Sequence, residues 1–280
     1  MNRVVLLGTK GGPAIRAGGA MPTSSLLDLD RRRVVVDCGL GVTKALVEAG
    51  VDLKTLDLIF ITHLHSDHIL ELGPLIHTAW TTGLKTGITL FGPPGIAEYW
   101  AGFMASLSYD NTIRVYDEGR RPLDELVTVR TYGEGLVLDD ALRVHALRVP
   151  HPPVKDAFAL RFDGSKSVTF SGDTAYFPPL GPFARGSDVL VHEAMLTEGV
   201  DLIVARTGMG EKLRAHILAA HTPVEDAARI ARSAGVGQLL LHHLIPADDP
   251  RFTARDWQDR AAAGWDGRVT MGTDGMEILL

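Results

Sequence analysis

Short apolar runs recur along the whole chain, and most are too brief for helices and too continuous for strands with one wet face. Residues 4–7, 26–29, 33–36, 58–61 and 88–91 predict strands in the first half, and 142–149, 157–162, 168–170, 189–192 and 239–242 in the second. Helical spacing falls between them, near 42–49, where Gly50 supplies the left-handed stop, and near 96–105. The best-marked helix follows His221: Thr222 is its expected N-cap, Pro223 its first residue, Glu225 the reciprocal capping partner and Gly235 its end. Apolar side chains at 224, 227, 228, 230, 231 and 234 give that helix a face to bury. Strands that are apolar at successive positions need cover on both sides, helices on one and a second sheet on the other. The expected class is therefore α/β, built as an αββα four-layer sandwich. No period of roughly 20 to 50 residues points to a solenoid.

Composition narrows the setting. At 280 residues, 45% hydrophobic and 22% charged, the chain can bury a sizeable core, and residues 1–280 are expected to form one domain. No run approaches the length of a membrane span. The opening residues are interrupted by Gly8 and Lys10 too early for a signal peptide, so a cytoplasmic protein is expected. Cys38 has no second cysteine to pair with, and its place after Val34-Val35-Val36 suits a small buried residue. A net charge of −6 disfavours a broad nucleic-acid face, because neutralising phosphates needs clustered Lys and Arg. The compact basic run Arg31-Arg32-Arg33 falls where a hairpin turn would carry it into water.

Chemistry concentrates in His63-Leu64-His65-Ser66-Asp67-His68, directly after the apolar run 58–61. Two histidines at i and i+2 point the same way from an extended segment, and the following turn brings Asp67 and His68 round from another side. Imidazole and carboxylate suit zinc and its neighbours. Further candidates follow other apolar runs: His151, Asp173 and the pair His242-His243. A sheet that aligns those runs would gather them at one edge.

The segment from His63 to His68 resembles the HxHxDH signature of the metallo-β-lactamase fold, and the likeness runs through nearly the whole chain. Leu6-Leu7-Gly8-Thr9 with Gly11-Gly12-Pro13, Ser24-Ser25-Leu26-Leu27 and Asp37-Cys38-Gly39 look like the opening of the branch that holds ribonuclease Z, arylsulfatases and related phosphodiesterases. His192-Glu193-Ala194 resembles that branch's HEAT loop, and His221-Thr222 its HST loop. The resemblance implies that His63, His65 and His151 hold one metal ion, that Asp67, His68 and His243 hold a second, and that Asp173 bridges them. It selects His243 over His242. It also implies Asp67, His221 and Glu193 as catalytic residues, with Asp67 orienting a metal-bridging hydroxide, His221 protonating the departing oxygen and Glu193 fixing the His221 imidazole. Two divalent ions are the implied cofactors, Zn2+ first, with Mn2+ or Fe able to use the same donors.

Two cations roughly 3.5–4 Å apart can share one water and lower its pKa from 15.7 towards about 7. A positioned acid favours esters that expel an alkoxide or phenoxide. The expected function is thus a dinuclear metal-dependent hydrolase of small phosphodiesters or related aryl phosphate and sulfate esters. The alternative is a lactone or carboxylic-ester hydrolase on the same centre, and a third reading is a binding module that kept the fold. Ribonuclease Z enzymes carry a long exosite arm between the positions matched by His151 and Asp173, and the short stretch here leaves no room for it. A small-molecule ester is therefore the expected partner rather than pre-tRNA or other nucleic acid, and the related branch commonly forms homodimers. Within residues 77–109, Trp80, Phe91, Tyr99, Trp100, Phe103, Met104 and Tyr109 suffice for an apolar wall beside the metals, although such residues usually fill cores. Trp80 or Tyr109 at the entrance would favour an aryl or nucleobase-bearing leaving group. Arg16 and Lys155 are candidate anion anchors, against the ordinary role of solvated charge.

Overall fold

A computed structural model describes residues 2–280. Strands β1 (Arg3–Gly8), β2 (Ser24–Leu29), β3 (Arg32–Cys38), β4 (Leu58–Phe60), β5 (Ile88–Gly92) and β6 (Val127–Thr131) lie side by side in that order in the first sheet. The second sheet runs, again in chain order, from β7 (Gly135–Asp139) through β8 (Arg143–Arg148), β9 (Phe158–Asp163), β10 (Ser167–Phe170), β11 (Val189–Met195) and β12 (Gln238–Ile245) to β13 (Val269–Met271). The last strand, β14 (Glu277–Leu279), returns to pair with β1. Helices α1 (Val42–Glu48), α2 (Ser66–Ile69), α3 (Leu72–Thr81), α4 (Ile96–Ser106) and α5 (Ser108–Glu118) belong to the first half. The second half adds α6 (Leu180–Phe183), α7 (Thr197–Thr207), α8 (Gly210–Ala220), α9 (Val224–Ala234) and α10 (Ala254–Ala262).

Alternate residues of each strand go to different cores, which explains the continuous apolar runs. Val35, Ile59 and Leu90 face the helices, whereas Val34, Val36, Leu58, Phe60 and Phe91 face the other sheet. Phe60 stacks on Phe91 at 4.4 Å between ring centres and meets Phe162 of the opposite sheet edge-on at 5.2 Å. Ala159, Leu190, Leu239 and Leu241 turn away from that layer to pack with Val224, Ala228, Ala231 and Trp257 of α9 and α10. Helix, sheet, sheet, helix is the resulting order of layers, the αββα sandwich expected from the sequence.

Several local expectations change in the folded chain. Thr222 does not cap α9: its hydroxyl donates to the Thr174 carbonyl at 2.6 Å, Pro223 is the N-cap residue, and Glu225 pairs with Arg260 at 3.1 Å. A tertiary acceptor outcompetes the local one, and the linkage ties the residue after His221 to the loop after Asp173. Gly235 does end the helix, at φ 61°. The hairpin between β2 and β3 turns through Asp30 and Arg31, but Arg32 and Arg33 are not simply solvated: they pair with Asp57, Asp140 and Asp28 at 2.7 to 3.0 Å. Cys38 is fully buried. Among the described residues no helix is long and apolar enough to cross a membrane.

Candidate active site

Parallel pairing runs from β3 through β6 in one sheet and from β10 through β13 in the other. His63 follows β4 and Asp173 follows β10, His151 comes after β8, and Glu193 and His243 lie near the C-terminal ends of β11 and β12. Tyr132 donates to the Ile61 carbonyl at 2.7 Å, and the Phe158 amide to that of Thr62 at 3.2 Å, so the segment entering His63 is held from both sides. His65 caps the short α2, which carries Asp67 and His68 into the interior. His243 is no strand end, as the apolar run suggested. β11 and β12 pair Glu193 with His242 and Ala194 with Leu244, which leaves His243 as the extra residue of a bulge at φ 43°. Such a conformation costs a non-glycine residue stability, and here it aims the imidazole at the cluster. His242 points elsewhere and donates to the Gly8 carbonyl at 2.8 Å.

Three groups of donors result, the smallest being Glu193, His221 and His243, and the other two share Asp173. His63, His65, His151 and Asp173 form one, Asp67, His68, Asp173 and His243 the other, with the candidate ligand atoms of each within 4.8 Å of one another. His65 Nδ1 lies 3.0 Å from His63 Nε2 and 3.1 Å from His151 Nε2. A tetrahedron with metal–nitrogen bonds of about 2.05 Å has edges of about 3.3 Å, so the three nitrogens stand nearly at coordination spacing. Asp173 Oδ2 is 3.1 Å from His243 Nε2, 3.2 Å from His68 Nε2, and 3.7 and 3.8 Å from His63 and His151 Nε2. One carboxylate therefore reaches both groups. His68 Nε2 and Asp173 Oδ1 are buried with no hydrogen-bond partner, an imbalance that bound cations would relieve. The donor set fits divalent metal ions.

Three of the imidazoles are oriented from behind. His151 Nδ1 donates to the Ala220 carbonyl at 2.9 Å, His63 Nδ1 to the Thr62 hydroxyl at 3.2 Å, and His68 Nδ1 to Asp37 at 2.8 Å. These bonds put the free lone pair on Nε2, facing the cluster. Asp37 is the residue whose role the sequence reading missed. It also accepts from the Thr62 amide and hydroxyl, both at 2.8 Å, and at φ 61° its backbone is strained. In the sequence it stood only within Asp37-Cys38-Gly39, a segment of the family resemblance, with no role attached.

Electrostatics differ between the groups. Burial holds His63, His65 and His151 below the usual imidazole value, His65 at about 4. Burial opposes protonation of His68 and His243 too, but Asp173 and its neighbouring carboxylates outweigh it, and His243 is held up at about 10. Asp67 stays ionised against its burial because His68 and His243 face it, and it accepts the Gly12 amide at 2.8 Å.

His221 and Glu193 are also brought together. His221 Nδ1 is 3.1 Å from both Glu193 oxygens, and Glu193 Oε1 accepts the Thr174 amide at 2.7 Å. The His221 ring stacks on His243 at 5.3 Å. Glu193 lies inside β11 rather than beyond it.

These groups open into a cavity of about 340 Å³. Its apolar wall comes from Ile203 of α7, from Leu213 and Ile217 of α8, and from Ile245 and Pro246 after the bulge. The wall expected from residues 77–109 is elsewhere: Trp80 is core and donates its indole N–H to the Arg121 carbonyl, while Tyr109 is 80% exposed and lines no part of the cavity. The apolar spacing there belongs to α3 and α4 packing on the first sheet. Arg16 does line the cavity, paired to Asp248 at 3.0 Å, whereas Lys155 is an exposed residue away from it. Lys10 and His216 line the cavity too, and neither was anticipated.

Residues 32–244 match the beta-lactamase superfamily domain. The chain belongs to that superfamily. It is a hydrolase of the metallo-β-lactamase fold with ribonuclease Z homologues: a ribonuclease Z of Mycobacterium sp. (strain KMS) is 34% identical over 278 residues, covering 98% of this chain and 94% of that protein. Among solved structures, the metallo-β-lactamase fold protein YhfI from Bacillus subtilis superposes with TM-score 0.74 at 22% identity, over 99% of both chains. The short form of human tRNase Z superposes with TM-score 0.69 at 21% identity, over 99% of this chain and 98% of its own.

Proposed function

We propose that this superfamily member is a dinuclear metal-dependent hydrolase of small phosphodiesters or related aryl phosphate and sulfate esters. In this reading His63, His65 and His151 hold one divalent ion, Asp67, His68 and His243 a second, and Asp173 serves both, with zinc preferred for nitrogen and oxygen donors of this kind. When bound, such ions activate water and polarise the ester. Asp67, ionised and held by the Gly12 amide, presents an acceptor to the attacking water. His221 donates its Nε2 proton to the departing oxygen, while Glu193 accepts a hydrogen bond from Nδ1–H and keeps the imidazole turned to the cavity.

The observation that carries this reading is the dyad of His221 and Glu193 beside the double donor cluster, with His221 lining a largely apolar cavity. A proton donor placed there serves an ester with a poor leaving group. The name of the mycobacterial relative raises RNA as a substrate. Against it stand the net charge of −6 and the stretch between His151 and Asp173, which folds into the β9–β10 hairpin and projects no arm. Metal-loaded protein is expected to hydrolyse bis-aryl phosphodiesters, and His221→Ala to slow poor leaving groups more than good ones. Equal losses for both would remove the acid. Faster turnover of lactones or aryl acetates, or of a 3′-extended pre-tRNA, in kcat/KM would replace the small-phosphodiester assignment.

A further inference from the structure

We propose that Lys10 is the anion anchor of the cavity, its ammonium taking a charged oxygen of the ester while the departing group lies along Ile203, Leu213 and Ile217. The proposal rests on the hydrolase reading above and names the substrate class more narrowly: an ester that carries a negative charge at one end and an apolar leaving group at the other.

Lys10 sits where β1 runs into the site. Its amide donates to the Met21 carbonyl at 2.9 Å, and the neighbouring Thr9 and Gly11 bond to Leu244, beside the bulged His243. The residue is 2% exposed, and its Nζ has no hydrogen-bond partner. Burying an ammonium without a partner is costly, and an apolar side chain of the same length would fill the space without that cost. The nearby carboxylates are already engaged. Asp248 pairs with Arg16 at 3.0 Å and with Arg206 at 3.6 Å, and Asp67 faces His243 at 3.3 Å. Burial lowers the Lys10 pKa, and a bound anion would oppose that shift; the charges that act next most strongly, those of Asp248, Arg16 and Asp67, all belong to residues lining the cavity. This corner therefore holds a buried cationic side chain without a hydrogen-bond partner, on the same cavity that Asp67, Asp173, His221 and His243 line. Across from it the wall is apolar, and Ile217 stands one helical turn before His221, beside which the leaving group must pass.

The test compares zinc-loaded wild type with Lys10→Met and Lys10→Arg. Phenylphosphonate is the equilibrium probe, and a bis-aryl phosphodiester and a neutral aryl acetate are the kinetic ones. Losing one charge-assisted hydrogen bond should weaken phenylphosphonate binding to Lys10→Met about tenfold to a hundredfold. The same variant should lower kcat/KM for the charged diester at least about tenfold more than for the neutral ester, mainly through KM, and Lys10→Arg should recover most of both effects. Wild-type affinity for phenylphosphonate in Lys10→Met, with a raised Tm, would overturn the proposal and make Lys10 a purely structural residue. Weakened binding in Lys10→Met alongside a wild type that cleaves no diester would uphold the anchor and sink the phosphodiesterase reading instead.

Discussion

Asp37→Asn isolates what the buried support behind His68 contributes. Asp37 occupies the left-handed region at φ 61°, which asparagine tolerates, so the exchange keeps the backbone and alters one atom. In the native protein Oδ1 accepts from the Thr62 amide at 2.8 Å, and Oδ2 from His68 Nδ1 at 2.8 Å. Asparagine has one acceptor oxygen, and with that oxygen kept on the Thr62 amide its NH2 must face His68 Nδ1. The imidazole then holds its proton on Nε2, the nitrogen that lies 3.2 Å from Asp173 and is assigned to the metal. Loss of such support typically lowers metal affinity 10–100-fold, or about 1.4–2.7 kcal/mol. The loss should fall on the site of Asp67, His68 and His243. The His63, His65 and His151 site touches Asp37 only through the Thr62 hydroxyl and should change much less. Stepwise zinc titration against a chromophoric chelator reads the two affinities separately, and thermal unfolding of the metal-free protein checks that the variant is folded. Two wild-type affinities in a folded variant would refute the tautomer argument.

Two further outcomes follow from the same geometry. His243, held at about 10, and His68, raised by Asp173 and Asp37, must each lose a proton to bind a metal, whereas His65 at about 4 is already neutral at pH 7. Acid should therefore weaken the second site by up to about a hundredfold per pH unit near neutrality and leave the first nearly unchanged, with about two protons released per ion at the second site. Zinc calorimetry in buffers of different ionisation enthalpy counts those protons, and equal release at both sites would contradict the electrostatics. Gly11→Ala should be destabilising: its methyl would sit 2.6 Å from Ile245 Cγ1 and 2.8 Å from His243 Cε1. Overpacking of this kind costs about 1–3 kcal/mol, so Tm should fall and turnover with it, while an unchanged Tm would show that His243 is free to move.

Much of the site could be read from the chain because its parts obey local rules. His63, His65, Asp67 and His68 are packed into a few residues, and the dense apolar runs ahead of His151 and Asp173 mark strands whose ends a sheet must align. The same runs, apolar on successive positions, require cover on both faces, and that requirement alone leads to two sheets between two helical layers. What the chain could not disclose depends on partners distant in sequence. Asp37 supports His68 across 31 positions, and Thr222 gives up a local cap for a carbonyl 48 positions away. The aromatic spacing of residues 77–109 does not say which face of a helix meets the sheet, and α3 and α4 buried most of it away from the donor cluster. The cavity wall instead came from α7 and α8, whose apolar residues rest on the small cluster of Met195, Val200, Ile217 and Ile245. Lys10 looked like an interruption in an apolar stretch until the fold enclosed its ammonium without a partner. Periodicity and spacing act between neighbours along the chain and so determine the elements and the ligand-bearing loops. Which buried charges find partners, and which are left facing a cavity, is decided only when remote segments exclude water from one another.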